Sequence, residues 1–465
     1  MTEEVEGYLA GRFDGYVDEL RRFCAIPSVS TQPSHRPDVL RAARFVADRL
    51  AAAGLADAAV HPTAGHPVVT AAWRGGDGGA PTVLVYGHYD VQPPEPLEAW
   101  LTPPFEATVR GDRLYARGAS DDKGPLLIPI LVAEAFLGAR GRLPVNLTFL
   151  IEGEEECGSP NLEAATAALA DRLAADIVLS ADGAMWRADL PSVIVASRGL
   201  LALDVTLAGA ARDLHSGRHG GSAPNPLRAL ARLVASLHDE AGRVAVAGFY
   251  DDVLPPDPAL VRTIEAVGFD AGRYFAEIGA RPPDPLPAGA ELLRRQWLEP
   301  TLELNGLTGG YGGAGTKTVI PARAGAKISC RLTAGQDPDR VFDAIRRHLE
   351  RHRPDGFGLG VTRRGRGSAA AALPPDLPAL GVIEDVLEGL YGVRPLRVAM
   401  GATIPIGDVF RRVLGIETVF FSFSTADEDF HGPNEFFRLQ SFRDGLGAWA
   451  RVLEAIGARL GPATR

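Results

Sequence analysis

Apolar residues recur at helical spacing through residues 36–53, at Val39, Leu40, Ala43, Val46 and Leu50, and Gly54 follows as a stop signal. Two short runs behave differently. Thr82-Val83-Leu84-Val85-Tyr86 and residues 145–151 are continuous, apolar and β-branched, as buried strands are, and residues 176–180 read the same way. Residues 124–138 and 161–174 read as helices between them. Strands alternating with helices predict an α/β fold, a mostly parallel sheet with flanking helices. The middle of the chain breaks that rhythm. Residues 192–208 and 316–333 look like strands, with helix signals at 225–239 and 338–352, and a Pro- and Gly-rich helical excursion fills 245–300. Residues 365–378 read as a linker by composition. A helix over 376–390, a strand near 418–423 and a helix over 434–457 then resume the α/β pattern. The expected organisation is one α/β domain, 1–196 and 381–465, interrupted by an inserted α+β domain, 197–380.

Composition narrows the function classes. The 465 residues are 46% hydrophobic and 23% charged, enough apolar chain for a proper core and too much for a disordered protein. The net charge of −10 argues against nucleic acid or an anionic membrane as partner. The longest apolar stretch, 126–133, falls far short of the ~20 residues a membrane span needs. Cys24, Cys157 and Cys330 cannot all pair and read as reduced thiols. The first residues are acidic and lack the basic-then-apolar pattern of a secretory signal, so a cytoplasmic location is expected.

Candidate chemistry sits where strands end. The strand at 82–86 runs into Gly87-His88-Tyr89-Asp90, at the carboxyl edge where α/β enzymes place their sites. His88 can ligate a metal and Asp90 can hold its ring. Arg117 to Gly124 brings Asp121, Asp122 and Lys123 to the start of a helix. Glu152-Gly153-Glu154-Glu155-Glu156 follows a strongly apolar strand, where four mutually repelling acids invite a cation. Ser180-Ala181-Asp182-Gly183 ends another strand, and His431-Gly432-Pro433-Asn434-Glu435 precedes the final helix. Together these five clusters offer histidine nitrogen and carboxylate oxygen, a set suited to Zn²⁺, Mn²⁺ or Co²⁺; scattered cysteines do not suggest thiolate ligation. Four clusters precede residue 185 and the fifth lies beyond 430, consistent with an inserted middle domain. His-Glu-x-x-His and Gly-x-Ser-x-Gly are absent, and Gly310 to Lys317 fails the phosphate-loop pattern because Thr316 separates Gly315 from Lys317.

In this order and spacing the five clusters resemble the dinuclear zinc metallopeptidase family of aminoacylase, carboxypeptidase G and succinyl-diaminopimelate desuccinylase, most closely its branch of cytosolic nonspecific dipeptidase and carnosinase. The resemblance extends to Ile26-Pro27-Ser28-Val29-Ser30, Asp213-Leu214-His215-Ser216-Gly217, Lys317-Thr318-Val319-Ile320-Pro321 and Cys330-Arg331-Leu332. It implies a zinc-exopeptidase-like catalytic domain and an inserted lid and dimerisation domain. It implies two divalent ions per subunit, zinc before manganese or cobalt: one held by His88, Asp121 and Asp182, the other by Asp121, Glu156 and His431. Glu155 would be the general base and Asp90 the residue that orients His88. His215 would reach the oxyanion in the partner subunit of a homodimer, Arg331 would bind the substrate's free carboxylate, and Thr318 and Thr403 would contact substrate.

One departure bears on substrate. The dipeptidase branch commonly reads Glu-Gly-Gly-Ser where this chain has Met400-Gly401-Ala402-Thr403, and Met400 cannot pair with a substrate amine. The expected activity is hydrolysis of the peptide or amide bond of dipeptides or similar small molecules, with N-acyl-amino-acid hydrolysis as the alternative. A non-catalytic binding module is disfavoured by the intact Glu155 and ligand set.

Overall fold

The structure, a computed structural model, describes residues 2–75, 79–401 and 405–461. The described chain forms two compact units, one within Met1–Val195, Leu373–Val398 and Pro405–Arg465, the other within Ala196–Ala372 and Ala399–Ile404.

The first unit is built on a mixed sheet in the order Ala59–His61, Val68–Trp73, Asn146–Glu152, Thr82–His88, Ile177–Ser180, Thr418–Phe420, Ser192–Ser197. Its centre is parallel, from Asn146–Glu152 through Thr82–His88 and Ile177–Ser180 to Thr418–Phe420. Its flanks are antiparallel. The central strands are buried along nearly their whole length, which is why they read as continuous apolar runs rather than alternations. The helix Gly124–Arg140 is apolar on all sides because it is enclosed, packing on Leu439–Arg459. Gly445 lets the two approach: a Cβ there would lie 2.6 Å from Ile128 Cδ1. Because the parallel strands share a direction, His88, Glu152 and Ser180 all end at one edge of the sheet, and the loops that follow them gather there.

The C-terminal helix starts later than its sequence pattern suggests. Phe436–Arg438 is a strand antiparallel to Arg113–Tyr115, and the helix begins at Leu439. Helical spacing cannot register a ladder partner more than three hundred residues away.

The second unit has a four-stranded antiparallel sheet in the order Thr301–Gly309, Arg323–Leu332, Gly199–Ala208, Gly358–Ser368. Gly199–Ala208 alternates buried and less buried positions, and its inner face packs with the helices Pro226–Ala235 and Pro338–His352. The stretch 365–378, which reads as linker, instead contains the end of Gly358–Ser368 and the short strand Ala371–Ala372. The edge strand's pairing shifts register between Arg364 and Ser368, and its largely solvated residues carry no apolar signal.

Candidate dinuclear metal centre

The strand Thr82–His88 delivers a fully buried imidazole to the sheet edge. Its Nε2 lies 3.1 Å from Asp121 Oδ1. Its Nδ1 is 3.1 Å from the Asp90 carbonyl oxygen and 3.4 Å from Asp90 Oδ1. The ring is therefore held at both nitrogens, and the His88 main-chain N–H donates to Asp122 Oδ2 at 3.1 Å, which fixes the backbone behind it. The buried Asp90 carboxylate also accepts the main-chain N–H groups of Glu155, at 3.3 Å, and Glu156, at 3.1 Å. One acid therefore ties the histidine to the turn Glu155–Cys157.

Asp121 follows Gly118, which takes φ +80° where a Cβ would meet Val91 Cγ1 at 2.4 Å; a side chain is excluded both by conformation and by space. The Asp121–Asp122 peptide is cis. Asp121 uses both oxygens: Oδ1 faces His88, and Oδ2 is 3.1 Å from His431 Nε2. His431 Nε2 is in turn 3.3 Å from Glu156 Oε2, which accepts a hydrogen bond from Gln92 Nε2 at 2.8 Å. Two sets of donor atoms result, His88 with Asp121 and Asp182, and Asp121 with Glu156 and His431. Within each set the atoms lie within 4.8 Å of one another. Glu155 belongs to neither set.

The electrostatics suit a cation. Burial, reinforced by the Asp121 charge, pushes Glu156 up to about 7, and burial drives Asp182 to about 6. Burial likewise lifts Glu155 well above the usual carboxylate range, with Asp182 and Glu156 adding to it. At Asp121 burial is outweighed by hydrogen bonds with His431 and His88, which hold the carboxyl below its ordinary value. Hydrogen bonds to Asp121 and Glu156 raise His431 to about 10. Buried acids, three of them held above their ordinary range, face two imidazoles and form the nitrogen and oxygen donor set that divalent ions of the zinc type prefer.

Not every acid of the 152–156 run needs a cation. Glu152 accepts from the Tyr86 hydroxyl at 2.6 Å and the Ser159 hydroxyl at 2.9 Å, and Glu154 from the His66 N–H at 2.9 Å and Asn161 Nδ2 at 2.8 Å. Only Glu156 of the four enters a ligand set. Cys157 is exposed, its Sγ 3.3 Å from the Glu154 carbonyl oxygen.

His215, Thr318 and Arg331 lie in the second unit. His215 pairs with Val319 across a two-residue ladder, and its Nδ1 accepts the Gly217 N–H at 3.0 Å. The Ser216 N–H donates to the Thr318 carbonyl at 3.0 Å, so His215 and Thr318 are neighbours. Arg331, half-buried in Arg323–Leu332, has its pKa lowered by burial. Thr403 lies outside the described residues.

Arg117 and Glu435 lie in two of the sequence clusters, but the sequence pattern gives neither a site role. Glu435 is wholly buried and accepts from Arg117 Nη1 at 2.7 Å and from the main-chain N–H groups of Gly118 at 2.9 Å, Ser120 at 2.9 Å and Asp121 at 3.1 Å. Their partners are mostly main-chain atoms, which no side-chain pattern advertises.

The model of peptidase family M20/M25/M40 matches residues 84–455. The chain is 31% identical to the human Beta-Ala-His dipeptidase, across 97% of this chain and 92% of that one. It is 30% identical to a Cys-Gly metallodipeptidase of Schizosaccharomyces pombe, across 93% and 94%. Among solved structures, the Saccharomyces cerevisiae dipeptidase Dug1p superimposes with a TM-score of 0.87 at 26% identity, covering 99% of both chains. Human carnosine dipeptidase 1 superimposes with a TM-score of 0.84 at 29% identity, covering 98% of both.

Proposed function

Since the chain belongs to peptidase family M20/M25/M40, we propose that this metallopeptidase cleaves the peptide bond of dipeptides and similar small substrates with a free carboxylate. The observation that carries the reading is Asp121, whose two oxygens each face a different histidine at 3.1 Å. One carboxylate so placed suits an ion on either side. His88, Asp121 and Asp182 would hold one, and Asp121, Glu156 and His431 the other, with zinc preferred and manganese or cobalt as substitutes. When bound, such a pair supplies Lewis-acid polarisation of a carbonyl oxygen and a water acidic enough to lose a proton near neutral pH.

The protein's own groups do the rest. Glu155 takes the proton of the attacking water and hands it to the departing amine. Asp90 holds the His88 ring and, through two main-chain N–H groups, the Glu155 turn. Arg331 offers its planar fork to the substrate carboxylate, and Thr318 and Thr403 are assigned to substrate contact on the family resemblance alone. The interrupting unit acts as lid and dimer contact, and the partner's His215 donates to the carbonyl oxygen as charge develops there. Three cysteines that remain unpaired go with a cytoplasmic setting.

The named activities of the Beta-Ala-His and Cys-Gly relatives support dipeptides as the substrate class. Met400 favours a second reading, cleavage of N-acyl amino acids, because a thioether cannot pair with a substrate amine. Assaying a dipeptide library and its N-acetylated counterparts with Zn²⁺, Mn²⁺ and Co²⁺ in turn decides between them. Turnover of free dipeptides supports the first, turnover of acetylated forms alone the second, and turnover of neither under any metal removes both.

A further inference from the structure

A buried ion pair beneath the metal centre joins loops that are far apart in sequence. Arg117 and Glu435 are 1% and 0% exposed and meet at 2.7 Å. Glu435 gathers the N–H groups of Gly118, Ser120 and Asp121, and so fixes the main chain of the loop that presents Asp121. Arg117 extends the connection in other directions. Its Nη2 donates to the His431 carbonyl at 3.0 Å and to the Pro93 carbonyl at 3.3 Å.

His431 needs such a hold. It lies at φ +60°, in the left-handed region that a residue other than glycine enters uncommonly, and its side chain is 56% exposed, so packing does little to orient it. His88, by contrast, is fully buried and is held by Asp90 and Asp122. The planar guanidinium spans Glu435 on one nitrogen and the two carbonyls on another, a reach that a point-charge ammonium lacks.

We propose that Arg117, seated by Glu435, is a positioning residue for one metal ion of the pair: it sets the spacing of His431 against Asp121 and leaves the His88 and Asp182 side largely untouched. The inference rests on the reading of the centre given above and names which half of it this ion pair serves.

The test is calorimetric titration of metal-free protein with Zn²⁺. It compares wild type, Arg117→Lys, and the double variant Arg117→Gln/Glu435→Gln, in which no unpaired charge is left buried. Circular dichroism and a metal-free melt establish that each is folded. The expected result in Arg117→Lys is a loss of about 10- to 100-fold in affinity for one equivalent, the range typical when a residue that orients a metal ligand is changed, with only a few-fold change in the other. The double variant, which also loses an acceptor for the N–H groups that hold the Asp121 loop, should weaken both equivalents, the same one more than the other. In a His431→Ala background, Arg117→Lys should have no further effect, because the ligand it positions is gone. Folded variants that bind both ions as tightly as wild type overturn the proposal, and so does an Arg117→Lys protein that loses affinity for both by one common factor. A full effect of Arg117→Lys without His431 overturns it too. A wild type that takes up fewer than two equivalents instead removes the reading of the centre itself, and this inference with it.

Discussion

Asp121 has no substitute in the site, because no other carboxylate belongs to both ligand sets. Asp121→Ala should therefore lower occupancy at both positions, and metal analysis of the purified variant checks this; two tightly held ions per chain would end the bridging assignment. Glu155 belongs to neither set, so Glu155→Gln should keep both ions and lose ~10²- to 10⁴-fold in kcat, the usual contribution of a positioned proton carrier. Retained ions with near-wild-type turnover would move the base elsewhere in the acidic run. At this scale the sequence was informative where the chemistry lies in side chains at strand ends, as with His88, Asp182 and the 152–156 acids. It was silent where a side chain works on main-chain groups, as Glu435 does on Gly118, Ser120 and Asp121.

Elements declare themselves in sequence in proportion to how one-sided their burial is. The helix Pro338–His352 buries Val341, Ala344, Ile345, His348 and Leu349 on one face, and its periodicity is plain. The edge strands Thr301–Gly309 and Gly358–Ser368 bury little and depend on ladder partners, so composition misreads the last residues of the second, from 365 on, as linker. His348 makes the helix a source of pH dependence. Burial, and then the neighbouring His352 ring stacked at 4.0 Å, hold its pKa below the ordinary 6.5. An unfolded chain binds a proton at this site as pH drops below 6.5, before the folded one does, so stability falls with falling pH from there down to the lower folded value. Chemical unfolding of wild type and His348→Leu at about pH 7.5 and about pH 5.5 should show the smaller acid loss in the variant; equal losses would clear His348 of the effect. In the first unit, Leu131 is fully buried in the helix Gly124–Arg140. Leu131→Ala should cost about 2–5 kcal/mol by the shift of the denaturation midpoint, and a loss below about 1 kcal/mol would mean that the helix face repacks freely.

Across the whole molecule, the proposed metal ligands and general base come from one unit and the proposed oxyanion donor, His215, from the other. If that donor crosses to a partner subunit, each of two inactive variants can supply what its companion lacks. Mixing His215→Ala with Glu155→Gln under conditions that exchange subunits should restore activity, since one site of the heterodimer then holds both groups. Verified exchange with no recovery would keep His215 within its own chain or out of catalysis. The interruption of the first unit by residues 196–372 also sets a timetable during synthesis. A ribosome making the chain from its amino end completes the whole second unit before it reaches Thr418–Phe420, the strand that must pair beside Ile177–Ser180, and later still His431. The nascent first unit thus waits with Ile177–Ser180 lacking that neighbour and with one metal set unfinished, a period in which exposed strand edges invite wrong pairing. Metal supplied during synthesis can at first meet only one complete set, His88, Asp121 and Asp182, because the second lacks His431, so the two ions are expected to load in sequence, the one that includes His431 second.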